Sequence, residues 1–151
     1  MGAYSISKPL AKEMLQNNFF LPKAAVISIY DPDDTDKRID YSSVSDRVIY
    51  VKLPDISFYD LQDYGYTSDT FFPEADEIAR FIIEAHNDGY DFICQCEFGE
   101  SRSPAMVAAI REYFNHNGIS VFEDYRLCPN QLVFSKLYKA LCKNGEKENE
   151  Q

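Results

Sequence analysis

The chain of 151 residues contains no tryptophan, only two histidines and six glycines, and it is poor in positive charge. Each shortage removes a class of function. Fifteen Lys and Arg stand against 25 Asp and Glu, a formal charge of -10, and such a surface repels nucleic-acid backbones and anionic membranes. The two histidines, His86 and His116, lie far apart, and none of the four cysteines (Cys94, Cys96, Cys128, Cys142) forms a Cys-x-x-Cys pair, so no zinc site is expected. Nor do those cysteines show the spacing of a secreted disulfide framework, and reduced thiols are expected. A long uninterrupted apolar stretch is also missing, so neither a membrane span nor a signal peptide is expected and the chain reads as cytoplasmic.

What is present is a core. Eleven Tyr and eleven Phe contribute to a hydrophobic share of 45%, enough for one domain over residues 1–143. Residues 144–151 lack apolar anchors and are expected to form a disordered polar tail.

Three apolar runs bounded by polar turns read as buried parallel strands: Ala24–Tyr30, 47–53 and Asp91–Cys96. Helical spacing follows at Ala75, Ile78, Ala79 and Ile82, with Pro73 at the entry and Gly89 beyond the end. It returns at Met106, Ala109, Ile110, Tyr113 and Phe114, with Gly118 as the expected left-handed stop. A third helix carries Phe134, Leu137, Tyr138 and Leu141 behind an Asn130 cap, and a weaker one covers Lys8–Gln16. Strands alternating with helices predict an α/β fold, an open parallel sheet with helices on both faces and a site beyond the carboxyl end of a strand.

One segment carries chemistry. The strand ending in Cys96 runs into Glu97-Phe98-Gly99-Glu100-Ser101-Arg102-Ser103-Pro104 and then an amphipathic helix. A helix N-terminus presents unpaired N–H groups that bind anions and favour a thiolate. Gly99 permits the loop to curl, Arg102 offers a planar fork of donors to phosphoryl oxygens, and Ser103 is placed to donate to the sulfur. Thiol-based cleavage of a phosphate ester needs these three things and an acid for the leaving group. Cys-x5-Arg alone is a weak signal; the preceding strand, the internal Gly, the serines on both sides of Arg and the following helix give it weight.

The run from Gln95 to Ser103 resembles the His-Cys-x5-Arg-Ser/Thr loop of the protein tyrosine and dual-specificity phosphatases, and is most similar to small bacterial members. Those pair such a loop with a later Pro-Asn opening the last helix, as Pro129-Asn130 does here. The resemblance implies a parallel sheet flanked by helices, a phosphocysteine intermediate and no metal or other cofactor. It implies catalytic Cys96, Arg102 and Ser103, substrate-binding Glu97, Phe98, Gly99, Glu100 and Ser101, and Asp55 of Leu53-Pro54-Asp55 as the acid, with Asp60 and Asp63 in reserve. The partner it implies is a phosphorylated protein or a small phosphate monoester.

Two departures stand out. Gln95 occupies the family's usual His position, and Glu97 and Glu100 put carboxylates around an anion site; both also fit a phosphate-binding module with weak turnover. Sulfur transfer or arsenate reduction is a further alternative, but arsenate reductases that resemble small phosphatases carry the loop near the N-terminus. The aromatics of 58–66 are placed either to wall a phenyl-phosphate pocket or to join the core. Asp31 to Asp36 lacks the Gly and Glu of a calcium loop and reads as a solvated turn. Cys94, two residues before Cys96, shares its strand face and reads as a packing thiol.

Overall fold

Strand-forming runs closed by polar turns become a four-stranded, all-parallel sheet in the computed structural model, which describes residues 1–34 and 38–149. The strands are β1 (Ala3–Ser7), β2 (Ala24–Tyr30), β3 (Arg47–Lys52) and β4 (Asp91–Cys96), in the order β1-β4-β2-β3. The helices are α1 (Lys8–Gln16), α2 (Ala75–Asn87), α3 (Arg102–Asn115), α4 (Ile119–Phe122) and α5 (Gln131–Asn149), and a short 3-10 turn covers Phe58–Asp60. No helix among the described residues is long and apolar enough to cross a membrane.

Because successive side chains on a strand point to opposite faces, the sheet divides its residues cleanly. Ala25, Ile27 and Ile29 of β2 and Phe92, Cys94 and Cys96 of β4 join the large core made with α2, α3 and α5. Ala24 and Val26 of β2 and Ile93 of β4 face the other way, toward Ala11 of α1, Ile39 and Tyr41. Helices therefore cover both faces, as the alternation of elements predicted. Each fully buried Ile or Phe in the larger core contributes on the order of 1.5–3 kcal/mol through lost apolar exposure.

Local signals set the helix ends. Ser7 caps α1, its Oγ accepting the Leu10 N–H at 3.2 Å. Asn130 caps α5, its Oδ1 accepting the Val133 N–H at 3.0 Å. Three expectations need correction. The left-handed residue ending α3 is His116, at φ 58°, whereas Gly118 has φ -58° and leads into α4. Residues 144–149 continue α5: Asn144 is buried and donates to Ala140 O at 2.8 Å and Asp76 Oδ1 at 3.1 Å. A Cβ on the neighbouring Gly145 would overlap the Tyr113 hydroxyl, so the polar composition there hides close packing at Asn144 and Gly145. Glu150 and Gln151, the end of the expected tail, lie outside the described residues. Strand β1 was not expected at all: its alternation Ala3-Tyr4-Ser5-Ile6-Ser7 is half polar and passes into α1 without a turn.

Candidate active site

Strand β4 delivers Cys96 to the carboxyl end of the sheet between β1 and β2, where the chain curls before α3 begins at Arg102. The curl requires glycine at position 99. Its φ is +70°, and a Cβ there would lie 2.8 Å from the Ser7 nitrogen and 3.0 Å from the Ile6 carbonyl carbon. The loop closes over the sulfur: the Gly99 N–H donates to Cys96 Sγ at 3.2 Å, and Ser103 Oγ lies 3.0 Å from it. Ser103 is itself held by Ser5 Oγ at 2.7 Å, and Ser5 Oγ also donates to the Gly99 carbonyl at 3.3 Å. The unexpected β1 thus ties the middle of the curl to the first turn of α3.

Arg102 is only 4% exposed. Its Nη1 donates to Asp31 Oδ1 at 2.5 Å and to the Leu53 carbonyl at 2.8 Å, while its buried Nε has no partner among the described residues. A buried guanidinium with one donor edge fixed by protein and another left over is ready for an added anion, because an unsatisfied buried donor is costly. Asp31 was not expected here. It follows the last residue of β2, and the carboxyl end of a central strand is the signal that points to it.

Asp55 sits at the rim. Ser101 Oγ and Asn130 Nδ2 donate to its Oδ1 at 2.8 and 3.0 Å, while Oδ2 has no such bond among the described residues. Asn130 Nδ2 also donates to the Ile56 carbonyl at 2.9 Å, and the Asn130 N–H donates to the Ser101 carbonyl at 3.0 Å. One residue therefore caps α5, fixes the Asp55 loop and braces the Cys96–Arg102 curl. Of the two reserve acids, Asp60 accepts from Ser57 Oγ within its own turn at 2.8 Å, and Asp63 is exposed. Neither lines the cleft beside the curl, whereas Asp55 does.

The other loop residues diverge. Glu97 lines the same cleft as Asp55, Glu100 lines a second cleft on the far side of the loop, and Phe98 is 75% exposed. Tyr64 and Tyr66 reach the first cleft, and Tyr66 packs edge-on to Phe71 at 5.9 Å. Phe58 and Tyr59 do not line it and stand in solvent, Tyr59 91% exposed, so half of that aromatic stretch walls this cleft. Of the acidic turn from Asp31, residues 31–34 edge this cleft, and Thr35 and Asp36 lie outside the described residues.

Behind the sulfur, on the opposite sheet face, Gln95 is 3% exposed and makes three side-chain hydrogen bonds. Its Oε1 accepts from Ser28 Oγ at 2.7 Å and from the Tyr41 hydroxyl at 2.8 Å; its Nε2 donates to the Cys96 carbonyl at 3.1 Å. Burial, with a smaller contribution from the charge of Tyr50, pushes the Tyr41 hydroxyl above the usual tyrosine range. All four cysteines are free. Cys94 is buried in the same core as Cys96, and that burial, followed by the neighbouring Cys96 charge, raises its thiol well above the ordinary range, as befits a packing residue.

No family model matches the chain, and no curated protein matches it in sequence. Solved structures do. Human DUSP28 superimposes with a TM-score of 0.58 at 15% identity, covering 95% of this chain and 90% of that one. The human tyrosine phosphatase-like serine/threonine/tyrosine-interacting protein gives 0.57 at 12% identity, covering 91% and 86%. PTPMT1 in complex with PI(5)P gives 0.56 at 12% identity, covering 97% and 94%. The chain therefore has the α/β fold of the tyrosine and dual-specificity phosphatases.

Proposed function

We propose that the protein is a phosphatase that cleaves phosphate monoesters, phosphotyrosine foremost, through a phosphocysteine on Cys96. The observation that carries this reading is the pairing at one loop of a sulfur met by the Gly99 N–H and Ser103 Oγ with a buried Arg102 whose Nε has no partner. A nucleophile and an anion fork on the same curl are what the chemistry needs.

The phosphoryl group sits in the curl with its oxygens on the loop N–H groups and on the unpartnered edge of Arg102, and Asp31 holds the guanidinium in place. The Cys96 thiolate attacks phosphorus in line with the ester oxygen. A P–S bond forms, the P–O bond breaks, and the departing oxygen takes a proton from Asp55, whose Oδ1 is anchored and whose Oδ2 remains for that proton. Asp55, now a carboxylate, accepts a proton from water as that water attacks phosphorus; the P–S bond breaks and inorganic phosphate leaves. Ser103 donates to the departing thiolate. Every group in this cycle is a side chain or backbone amide of this chain.

The test is turnover of a simple aryl phosphate by wild type, Cys96→Ser and Asp55→Asn. Cys96→Ser is expected to lose several decades of rate, about what removing a covalent nucleophile costs. Asp55→Asn is expected to slow esters of poor leaving groups much more than those of good ones, since a stable phenolate departs without help. Cys96→Ser activity above roughly a tenth of wild type would place the nucleophile elsewhere.

A second reading is a phosphate-binding module with weak turnover. The acidic residues at the rim favour it, because Asp55 and Glu97 share a cleft with Asp31, Asp33 and Asp34 and together oppose the entry of a dianion. Gln95 no longer speaks for it, since its three hydrogen bonds leave the Cys96 carbonyl fixed. Anion binding without turnover of any aryl phosphate would select this reading.

A further inference from the structure

The cleft beside the curl has a volume of about 630 Å³ and is walled by the carboxylates of Asp31, Asp33, Asp34, Asp55 and Glu97 together with Tyr64 and Tyr66. That volume is typical of a ligand pocket. No Lys or Arg lines it among the described residues. Among the described residues, ion pairs reach these carboxylates from Arg102, on Asp31 at 2.5 Å, and from Lys8, 3.4 Å from Asp34 and 3.9 Å from Glu97. The described lining itself, five carboxylates without a Lys or Arg, is acidic.

Two demands therefore meet at one place. The buried guanidinium, fastened to the cleft through Asp31 and carrying an unpartnered Nε, calls for an anion. The wall around it calls for a cation. A substrate that carries its own cation beside the phosphate meets both demands at once.

We infer that the substrate is a phosphotyrosine flanked by arginine or lysine in a peptide chain, an inference that rests on the phosphatase reading above. The phosphotyrosine enters the curl between Tyr64 and Tyr66 on one side and the Asp31–Asp34 turn on the other. Flanking guanidinium groups pair with the carboxylates in two-bond forks and lie over the tyrosine rings, which a Glu-flanked peptide cannot do. The long-range field acts in the same sense, drawing basic peptides in and turning acidic ones away.

The experiment compares two phosphotyrosine peptides of equal length, one with Arg and one with Glu on both sides. Binding is measured on Cys96→Ser, turnover on wild type, and free phosphotyrosine serves as a third probe. The Arg-flanked peptide is expected to bind at least roughly tenfold tighter than either other probe, and the advantage should shrink as salt rises from about 0.05 to about 0.5 M. Charge reversal at the exposed cleft residue, Asp33→Lys, should reduce the ratio between the two peptides. Equal binding of both peptides, or free phosphotyrosine binding as well as the Arg-flanked one, overturns the inference. Turnover of aryl phosphate would leave the phosphatase reading standing in that case, whereas loss of that turnover would remove the phosphatase reading and leave the peptide ratio on Cys96→Ser to judge the cleft by itself.

Discussion

Gln95 and Cys96 are consecutive in the chain, yet they face opposite sides of β4, and the two sides are built on different principles. On the Cys96 side lies the large helical core, and the loop above it is held by charge: Arg102 with Asp31, Asp55 with its two donors. On the Gln95 side the core is small, and the residues that bond the Gln95 side chain are neutral, Ser28 and Tyr41, both buried. The loop that follows the sulfur is thus braced by ionic groups in front, and the strand beneath it is located by neutral hydrogen bonds behind. An amide can accept from two hydroxyls and donate to a carbonyl at once. That explains how glutamine serves where the resembling phosphatases carry histidine.

The comparison is broken most severely at the front. Gly99→Ala adds a Cβ 2.8 Å from the Ser7 nitrogen at a backbone angle that alanine disfavours, so the curl must shift relative to β1. A displacement approaching 1 Å costs about a hundredfold in rate. Aryl-phosphate turnover should fall by about that factor, and the denaturation midpoint should fall with it, because the added Cβ meets the backbone of Ile6 and Ser7 in β1. An active Gly99→Ala would mean that the curl's shape is not what positions Cys96.

At the rear the expected effect is on stability first. Gln95→Leu leaves the Ser28 and Tyr41 hydroxyls and the Cys96 carbonyl without their partner, at about 1–3 kcal/mol for each group left buried and unsatisfied. Tyr41→Phe removes one donor and should cost about 1 kcal/mol. Gln95→His is the more informative change, since a neutral imidazole has a single acceptor nitrogen for two hydroxyls. It should destabilise the protein, as read by urea denaturation, without raising turnover. A faster and equally stable Gln95→His protein would show that the neutral layer is not adapted to glutamine.

Asn130→Ala joins the two regions to α5. It removes the helix cap, worth about 1 kcal/mol, and frees the Asp55 loop, so stability and turnover should fall together. Asn130→Asp restores the cap but sets a second carboxylate against Asp55; recovered stability with unrecovered turnover on poor leaving groups would separate the two roles.

The two inner strands β2 and β4, the edge strand β3 and the long helices were legible because packing against the core imposes apolar runs on strands and a 3.6-residue period on helices. The Cys96–Arg102 curl was legible because its chemistry demands particular residues at fixed spacing. What escaped was what contacts across the fold decide. Strand β1 carries alternating polar residues because Ser5 turns toward Ser103 and Gly99, a reason invisible along the chain. Asp31 looked like one acid in a solvated turn until Arg102 was placed against it. The helical extension to Asn149 depends on Asn144 meeting Asp76, 68 residues away, and composition cannot see that.

The smallest expected effect separates the two sheet faces by pH. On the helical side, His86 of α2 stacks on Phe114 of α3, with ring centroids 3.8 Å apart. Burial, and secondarily the positive N-terminus, lower its pKa from the ordinary 6.5. A histidine lowered in this way takes up its proton more readily in the unfolded chain, so its contribution to stability is complete above about 6.5 and is lost as pH falls through that region. On the Gln95 side, Tyr41 behaves in the opposite sense. Its hydroxyl is held protonated by burial, the unfolded chain ionises near pH 10, and the stability it lends is lost as pH rises beyond about 10. Urea denaturation midpoints followed across both ranges should therefore decline at each end. His86→Gln should flatten the acid decline between about pH 7 and pH 5.5 while leaving the alkaline one, and Tyr41→Phe should do the reverse. The absolute loss from weaker stacking or from a missing hydroxyl does not enter, because only the slope with pH is compared. An acid decline in His86→Gln as steep as in wild type would assign that dependence to the carboxylates instead, and with it the idea that each face of the sheet has its own titrating weak point would fail.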